Sequence, residues 1–226
     1  MGRRVTFLLE NAPALCVKCR GISLPKTADK NMGSHPLKNW AYELAQRFSG
    51  SEELQKIFHQ EILSHSAGRG LVLDVGGGTG LYRSTCPPAW KYQSLDCDRA
   101  KIYGFKQRHP QERAIQGSAT HLPMADKTFD LCLMIFIAHH LSPADLQAAL
   151  REITRVLRQN GRLFLADPVW NPANWRGRCL WALDQGAYKK TAAELSGLIG
   201  GIMEIVEERS MRILHDYKFF WCRRRT

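Results

Sequence analysis

The spacing of apolar and polar positions changes along this 226-residue chain. Between residues 37 and 62, apolar side chains recur every three or four positions, which predicts two amphipathic helices, the second capped by Ser51. From residue 71 onward, short runs that are apolar throughout alternate with helical segments. Strands of this kind are typical of a parallel sheet that helices cover on both faces.

The alternation predicts seven strands, five before residue 170 and two at the end. The last two, 203–211 and 217–222, are joined by a link that permits only an antiparallel pair. We therefore expect an α/β fold with a doubly wound, mostly parallel seven-stranded sheet and an antiparallel last strand. The other strands are predicted at 71–75, 92–95, 114–115, 131–137 and 163–166, with helices at 79–84, 99–108, 142–158 and after a capping box at Thr191–Glu194.

Length and composition favour one domain with a basic extension. Residues 1–31 lack periodicity and hold six basic against two acidic residues, so we expect them to be poorly ordered. Residues 32–226 are expected to form a single domain. Its predicted parts are N-terminal helices at 32–69, a ligand-binding core at 70–168, a substrate cover at 169–200 and a terminal strand pair at 201–226.

Charge, cysteine usage and hydropathy limit the possible partners. A net charge of +11 suggests an anionic partner such as nucleic acid, but the excess lies largely at the two ends of the chain. The seven cysteines are scattered, and Cys16 with Cys19 supplies only half of a zinc site, so no metal is expected. No apolar run approaches the roughly 18–20 residues of a membrane span. These features predict a cytoplasmic protein, monomeric or homodimeric, without a membrane span.

The stretch LVLDVGGGTG, residues 71–80, carries the most specific chemistry. Open α/β sheets bind ligands at such turns, but a dinucleotide fingerprint needs a glycine immediately after Gly80, and a P-loop needs a lysine. Instead Asp74 and three alternating glycines precede Asp96, which ends the next strand and lies 20 residues after Gly76. A carboxylate at that position can bind ribose hydroxyls. The spacing favours a nucleoside without a diphosphate, and a plain tight turn is the alternative.

Four stretches resemble a known family. In order along the chain these are VLDVGGGTG, SLDCD, GSATHLPMADKTFDLCLMIFIAHHL and ITRVLRQNGRLFLADP. In these four stretches the chain resembles the class I S-adenosylmethionine-dependent methyltransferases, specifically the type 11 group. The resemblance covers about residues 70–168, and the terminal strand pair fits the antiparallel last strand of that Rossmann-like fold. It implies S-adenosyl-L-methionine as cofactor and methyl transfer as the reaction.

The resemblance also implies which positions hold the donor. The glycine turn would line its methionine end, a strand-end carbonyl would accept from its ammonium group, and separate positions would contact ribose and adenine. At the adenine position Ser118 stands where many relatives have aspartate. The implied set is Asp74, Gly76, Gly78, Thr79 and Gly80 in the turn, Ile135 for the ammonium, Asp96 for the ribose, and Ser118 and Ala119 for the adenine.

Two histidines are the candidates for a catalytic base. His139 and His140 follow the fourth predicted strand, beside the expected position of the methyl group, and histidine titrates near neutral pH. Methyl transfer depends mainly on alignment, and a base is needed only where the acceptor must lose a proton. The alternative is that these side chains only bind loop backbone.

Aromatic residues cluster in the segments expected to cover the donor. Aromatic walls suit a flat or apolar acceptor, although the rings can equally form a small core of their own. The candidates are Trp40 and Tyr42 in the N-terminal helices, and Trp170, Trp175, Trp181 and Tyr188 in the cover.

The favoured function is methyl transfer to an oxygen, nitrogen or carbon nucleophile of a small apolar or aromatic metabolite. Three alternatives stay open. They are an RNA methyltransferase that uses its basic termini, a nucleoside-binding protein without catalysis, and an NAD(P) oxidoreductase.

Overall fold

The structure is a computed structural model that describes residues 51–66, 68–183 and 188–225. The predicted extension at 1–31, together with Trp40 and Tyr42, lies outside the described residues. The strands are β1 (Leu71–Val75), β2 (Lys91–Asp96), β3 (Arg113–Gln116), β4 (Phe129–Ile135), β5 (Leu157–Val169), β6 (Met203–Arg212) and β7 (Asp216–Arg224). The helices are α1 (Ser51–His65), α2 (Arg99–Arg108), α3 (Pro143–Val156), α4 (Trp175–Leu183) and α5 (Ala192–Gly200).

The strands form one seven-stranded sheet in the order β3-β2-β1-β4-β5-β7-β6. β1 pairs in parallel with both β2 and β4, whereas β7 is antiparallel to both of its neighbours, β5 and β6. The predicted fold, including the antiparallel last strand, is confirmed. The strand order reverses between β1 and β4, so the carboxyl ends of these strands flank the cleft in which doubly wound sheets bind ligands.

Helices cover the sheet on both faces, as the uninterrupted apolar strands require. On one face, Leu146 and Ile153 of α3 pack with Ile199 of α5 against the sheet core. On the other face, Phe58 of α1 is completely buried. It contacts four aromatic rings at centroid distances of 5.4–5.8 Å, those of Tyr82, Phe136, Phe164 and Phe219.

The predicted helix starts in the second half of the chain are confirmed. Ser142 caps α3 by accepting a hydrogen bond from the amide of Asp145 at 3.1 Å. Thr191 and Glu194 form a reciprocal capping box at the start of α5. These caps fix where the chain enters each helix, and so where the loops at the carboxyl edge of the sheet begin.

Several predicted elements differ from the structure. β4 covers Phe129–Ile135 rather than 131–137, and β5 begins at Leu157 rather than at 163. No α-helix covers residues 79–84, which form turns and a short 3₁₀ turn at Arg83–Thr85. Gly80 has a φ of +80°, a left-handed value that a right-handed helix does not accept. α3 ends at Val156 rather than at 158, because β5 already begins at Leu157 and its register with β4 shifts there.

Candidate functional site

The glycine turn leaves β1 and bends over the end of β2. The amides of Gly76 and Gly77 both donate to the carbonyl of Leu95, at 2.7 and 3.1 Å. A Cβ added at Gly76 would lie 2.5 Å from Cγ2 of Ile137, and one at Gly77 would lie 2.5 Å from Oδ2 of Asp74. The turn is therefore packed from two sides, and only glycine lets its backbone run this close to its neighbours.

Asp96 at the end of β2 holds this turn. Its carboxylate is 5% exposed; Oδ2 accepts from the amide of Gly78 at 3.0 Å and Oδ1 accepts from the amide of Asp98 at 2.9 Å. A carboxylate has about four lone-pair sites, so each oxygen keeps capacity for one more donor. The side chain thus shapes the turn and can still accept two hydroxyl groups, which fits a ribose.

The loop assigned to adenine lies next to that carboxylate. The amide of Gly117 donates to the carbonyl of Asp96 at 3.0 Å, which ties the loop to the end of β2. Ser118 Oγ lies 2.8 Å from the hydroxyl of Thr120. Ser118 and Ala119 are both half-buried. The structure therefore brings the turn, the acid and this loop together at one edge of the sheet.

Asp74 lies beneath the turn. It is 1% exposed and accepts a hydrogen bond from the hydroxyl of Tyr92. Burial raises the pKa of Asp74 to about 7, against an ordinary value of 3.8, and the nearby charge of Asp96 adds to the rise. Tyr92 was missed in the sequence analysis. It occupies an ordinary apolar strand position there, and only the paired strands bring it to Asp74.

β4 ends beside the glycine turn. Ile135 is its last residue, and the amide of Phe136 donates to the carbonyl of Ala166 in β5 at 2.9 Å. Phe136 has a φ of +58°, which is unusual for a residue other than glycine. This left-handed residue turns the chain out of the sheet and into the segment that contains both histidines.

His139 is held by an acid at the end of β5. It lies in a short 3₁₀ turn, Ala138–His140, and is 5% exposed. Its Nδ1 lies 2.6 Å from Oδ1 of Asp167, and its backbone amide donates to Oδ2 at 2.7 Å. An ionised carboxylate only accepts hydrogen bonds, so Nδ1 carries the hydrogen in the contact with Asp167.

A buried lysine ties the predicted substrate cover, 169–200, to the histidine turn, Ala138–His140. Lys190 Nζ donates to the carbonyls of Ala138, Leu141 and Tyr188 at 2.9, 2.7 and 3.1 Å. Burial lowers the pKa of Lys190. The amide of Tyr188 also donates to the carbonyl of His139 at 3.1 Å. The carboxyl end of the cover is thereby fixed directly to the candidate catalytic segment.

The predicted aromatic residues of the cover occupy different surroundings. Trp181 is 3% exposed and lies edge-on to His139 at a centroid distance of 5.7 Å. Trp170 lies 6.4 Å from Trp181, whereas Trp175 is 66% exposed on the outer side of α4. Trp181 therefore lies beside the histidine turn with Trp170 next to it, and the backbone of Tyr188 is hydrogen-bonded to that turn.

The core sequence matches a known family. Residues 73–165 match a family model described as a methyltransferase domain. The "Probable phthiotriol/phenolphthiotriol dimycocerosates methyltransferase 2" of Mycobacterium ulcerans is 31% identical over 174 residues, which are 70% of this chain and 66% of that protein. The chain belongs to the type 11 group of class I S-adenosylmethionine-dependent methyltransferases. S-adenosylmethionine is the methyl donor of this family.

A second curated protein and a solved structure are also similar to this chain. The demethylmenaquinone methyltransferase of Beutenbergia cavernae is 35% identical over 105 residues, 45% of this chain and 43% of that protein. Among solved structures, the PH0226 protein from Pyrococcus horikoshii OT3 shares the fold, with a TM-score of 0.66 at 17% identity over 77% of this chain and 91% of its own. The chain spans between 40% and 66% of the length of the first curated relatives that it matches.

Besides Tyr92, the sequence analysis missed Asp167 and Lys190 of the candidate site. Asp167 is an acid that directly follows the apolar run 163–166, and this position is the sequence signal that could have identified it. Lys190 has no such signal. Among the described residues no helix has the length and apolar character needed to cross a membrane, and no group of metal-ligating side chains occurs.

Proposed function

We propose that this chain binds S-adenosylmethionine across the carboxyl ends of β1 and β2 and transfers its methyl group to an oxygen, nitrogen or carbon nucleophile of a small apolar or aromatic acceptor. The observation that carries the proposal is the hydrogen bond from Gly78 to Asp96. It joins the glycine turn and the ribose-binding acid into one preformed unit. A turn that merely reversed the chain would have no need of a buried carboxylate with unused acceptor capacity.

The donor is held by contacts that need little rearrangement. Gly76, Gly78 and Thr79 face the methionine end, Asp96 accepts the two ribose hydroxyls, and Ser118 with Ala119 borders the adenine. The carbonyl of Ile135 accepts from the ammonium group. The left-handed φ values of Gly76 and Gly78, +76° and +55°, support this arrangement, because they keep the backbone free of side chains where the donor approaches.

The chain's own contribution to the chemistry is mainly alignment. When bound, S-adenosylmethionine supplies an electrophilic methyl group on a sulfonium whose positive charge is lost in the transfer. The protein therefore has little developing charge to stabilise at the donor, and holding the acceptor in line can supply about 7–11 kcal/mol of the rate enhancement. The rigid turn and the anchored cover suit that task.

His139 acts as general base where the acceptor must lose a proton. Asp167 keeps Nδ1 protonated and orients the ring, so the proton passes from the acceptor to Nε2. Ionised Asp167 then stabilises the imidazolium by hydrogen bonding and charge. The ring of His140 lies next to that of His139, with centroids 4.0 Å apart. A substitution of His140 is therefore the matched control for a substitution of His139.

The acceptor binds beneath the cover, against Trp170 and Trp181. Both rings are apolar surfaces beside the histidine turn, which suits a flat or apolar compound. Trp40 and Tyr42 stay candidates from the sequence alone, since they lie outside the described residues. Two relatives are named for demethylmenaquinone and for phthiotriol/phenolphthiotriol dimycocerosates, so these compounds are the first acceptors to test.

Calorimetry tests the donor site directly. We expect S-adenosylmethionine and S-adenosylhomocysteine to bind with one-to-one stoichiometry, and NAD not to bind. Binding of NAD with neither of the other two would contradict the proposal. Transfer of a radiolabelled methyl group to a panel of apolar and aromatic acceptors then tests the acceptor class, with an RNA pool as comparison. Labelling of RNA alone would contradict the assignment to small acceptors.

A further inference from the structure

The helix of the substrate cover, α4, is fixed in position from its inner side. Asn174 Oδ1 accepts from the amide of Gly177 at 3.0 Å, and Nδ2 donates to the carbonyl of Leu214 at 2.9 Å and to Oδ2 of Asp216 at 2.8 Å. Gly177 and Trp181 on this side of the helix are buried. The orientation of α4 on the β6–β7 turn is therefore set by hydrogen bonds as well as by packing.

The outer side of α4 carries an uncharged stripe. Trp175, Cys179 and Ala182 follow one another at helical spacing, and all three are exposed. Trp175, at 66%, shares with Tyr103 the highest exposure among the large hydrophobic residues that the structure describes as exposed. Helices on the surface of a globular protein ordinarily show charged or polar residues on this side. α4 departs from this pattern at Trp175, which lies on the outer side.

Two arginines border the stripe, one on each side. Arg176 and Arg178 are exposed, and within the described residues neither guanidinium has a carboxylate partner. Arg176 instead lies over the ring of Trp175, 5.3 Å from its centroid. Lys189 does not belong to this face, because its Nζ lies over the rings of Trp170 and Trp181, 4.5 and 5.9 Å from their centroids. The outer face thus combines an exposed indole with two guanidinium groups that have no carboxylate partner among the described residues.

This combination matches one kind of partner. Tryptophan is favoured where an apolar region meets a polar headgroup layer, because its ring is apolar and its N–H is polar. Arginine and lysine are attracted to the phosphates of anionic lipids. A helix that lies in a membrane interface presents such an apolar stripe with basic residues at its borders.

We propose that the outer face of α4 docks on an anionic lipid surface, with Trp175 at the headgroup layer and Arg176 and Arg178 against lipid phosphates. The same cover carries Trp170 and Trp181 beside His139. The docked face therefore lies next to the proposed acceptor site, and an apolar acceptor held in the lipid has a short route beneath the cover. That last step rests on the proposed function, whereas the docking does not.

Vesicle flotation with the full chain tests the docking. Vesicles of phosphatidylcholine alone are compared with vesicles in which phosphatidylglycerol replaces part of that lipid. We expect binding to the anionic vesicles only, weakened by added salt because surface charges are screened. The Arg176→Glu/Arg178→Glu variant should lose binding. The Trp175→Ala variant should bind at least about fivefold more weakly, an effect comparable to removing one positive charge.

Matched substitutions elsewhere make the test specific. Tyr103→Ala removes an aromatic residue of the same 66% exposure on α2, and Lys91→Glu/Arg113→Glu reverses two exposed charges at the amino ends of β2 and β3. Both controls should keep most of the vesicle binding. Equal losses in the controls, or unchanged binding in the α4 variants, would overturn the proposal. So would a dimer that Trp175→Ala dissociates, since a second copy would then cover the face.

Donor calorimetry separates this proposal from the proposed function. The α4 variants should bind S-adenosylmethionine with unchanged affinity, because no residue of the stripe contacts the glycine turn or Asp96 in the structure. Vesicle binding without donor binding would leave the docking standing and remove the proposed activity. Donor binding without any binding to anionic vesicles would contradict the docking and leave the proposed function in place.

Discussion

Asp167 accepts two hydrogen bonds from His139, one from the ring at 2.6 Å and one from the backbone at 2.7 Å. Both residues are buried, at 1% and 5% exposure. One carboxylate therefore fixes the position of the turn and the direction of the imidazole at the same time. A base that is oriented in this way needs no rearrangement before it accepts a proton.

Asp167→Asn should lower kcat for acceptors that must lose a proton by about 10²–10⁴-fold, the usual contribution of a general base. The amide can donate to Nδ1 and so favours the unproductive tautomer of His139. The measurement is kcat against pH, with donor affinity determined in parallel. The deficit should shrink as pH rises and the acceptor ionises by itself. A deficit that is equal at every pH and accompanied by lost donor affinity would indicate a structural role only.

Asp96→Ala should weaken binding of S-adenosylmethionine by about 1–3 kcal/mol, the scale of hydrogen bonds to a charged group. Calorimetry measures the change. Asp98→Ala is the matched control, because Asp98 lies two residues away and caps α2 through the amide of Ala100 at 2.8 Å. The control should cost about 1 kcal/mol of stability and leave donor affinity unchanged. Equal affinities of the Asp96 variant and the parent would mean that the ribose lies elsewhere.

Gly76→Ala should destabilise the protein more than Gly68→Ala does. Both glycines have left-handed φ values, +76° and +69°, so both substitutions share a backbone cost of about 1–2 kcal/mol. Only at Gly76 does the new Cβ meet a neighbour, Cγ2 of Ile137 at 2.5 Å, whereas nothing lies within 4 Å at Gly68. Urea unfolding should show about 1–3 kcal/mol of further loss.

A second substitution checks the cause of that difference. Ile137→Ala should cost less stability in the Gly76→Ala background than in the parent, because it removes the atoms that crowd the new methyl group. An equal cost in both backgrounds would mean that the backbone conformation alone accounts for the effect.

Asp74→Asn should become progressively more stabilising relative to the parent as pH rises from about 4 to 7. In the folded parent the pKa of Asp74 is about 7, mainly through burial, against an ordinary 3.8. Between these values the folded state holds a proton that the unfolded state has released, so stability falls with rising pH and then levels off. The difference in unfolding free energy should grow by about 2–4 kcal/mol in urea titrations.

Tyr92→Phe provides the companion measurement. The hydrogen bond from Tyr92 lowers the pKa of Asp74, so its removal should extend the pH-dependent loss of stability to higher pH. A flat difference between Asp74→Asn and the parent over this range would contradict the assignment of a raised pKa.

The elements that the sequence predicted correctly are those determined by residues close together in the chain. β1 was predicted at its observed bounds, because turn residues enclose a short apolar run, and four of its five residues are buried. The Ser142 cap and the Thr191–Glu194 capping box were predicted for the same reason, since their partners lie three residues apart. Asp96 could be picked out because a fixed spacing separates it from the glycine turn.

The residues of the candidate site that the sequence analysis missed contact residues that are far away in the sequence. Asp167 is 28 residues from His139, and Lys190 lies 52 residues from Ala138. No periodicity or spacing rule joins such positions, and only the order of the strands brings them together. The predicted helix at 79–84 failed for a local reason, because left-handed glycines override the helical tendency of the residues after them.

The place of β7 between β5 and β6 has a consequence for biosynthesis. The ribosome makes β7 after the other six strands of this sheet, yet both edges of β7 are hydrogen-bonded in the folded protein. Until β7 emerges, β5 has an unpaired edge and β6 has no neighbouring strand. Unpaired strand edges of this kind make a nascent chain prone to aggregation. Folding of this sheet is therefore completed only after translation has passed its final strand.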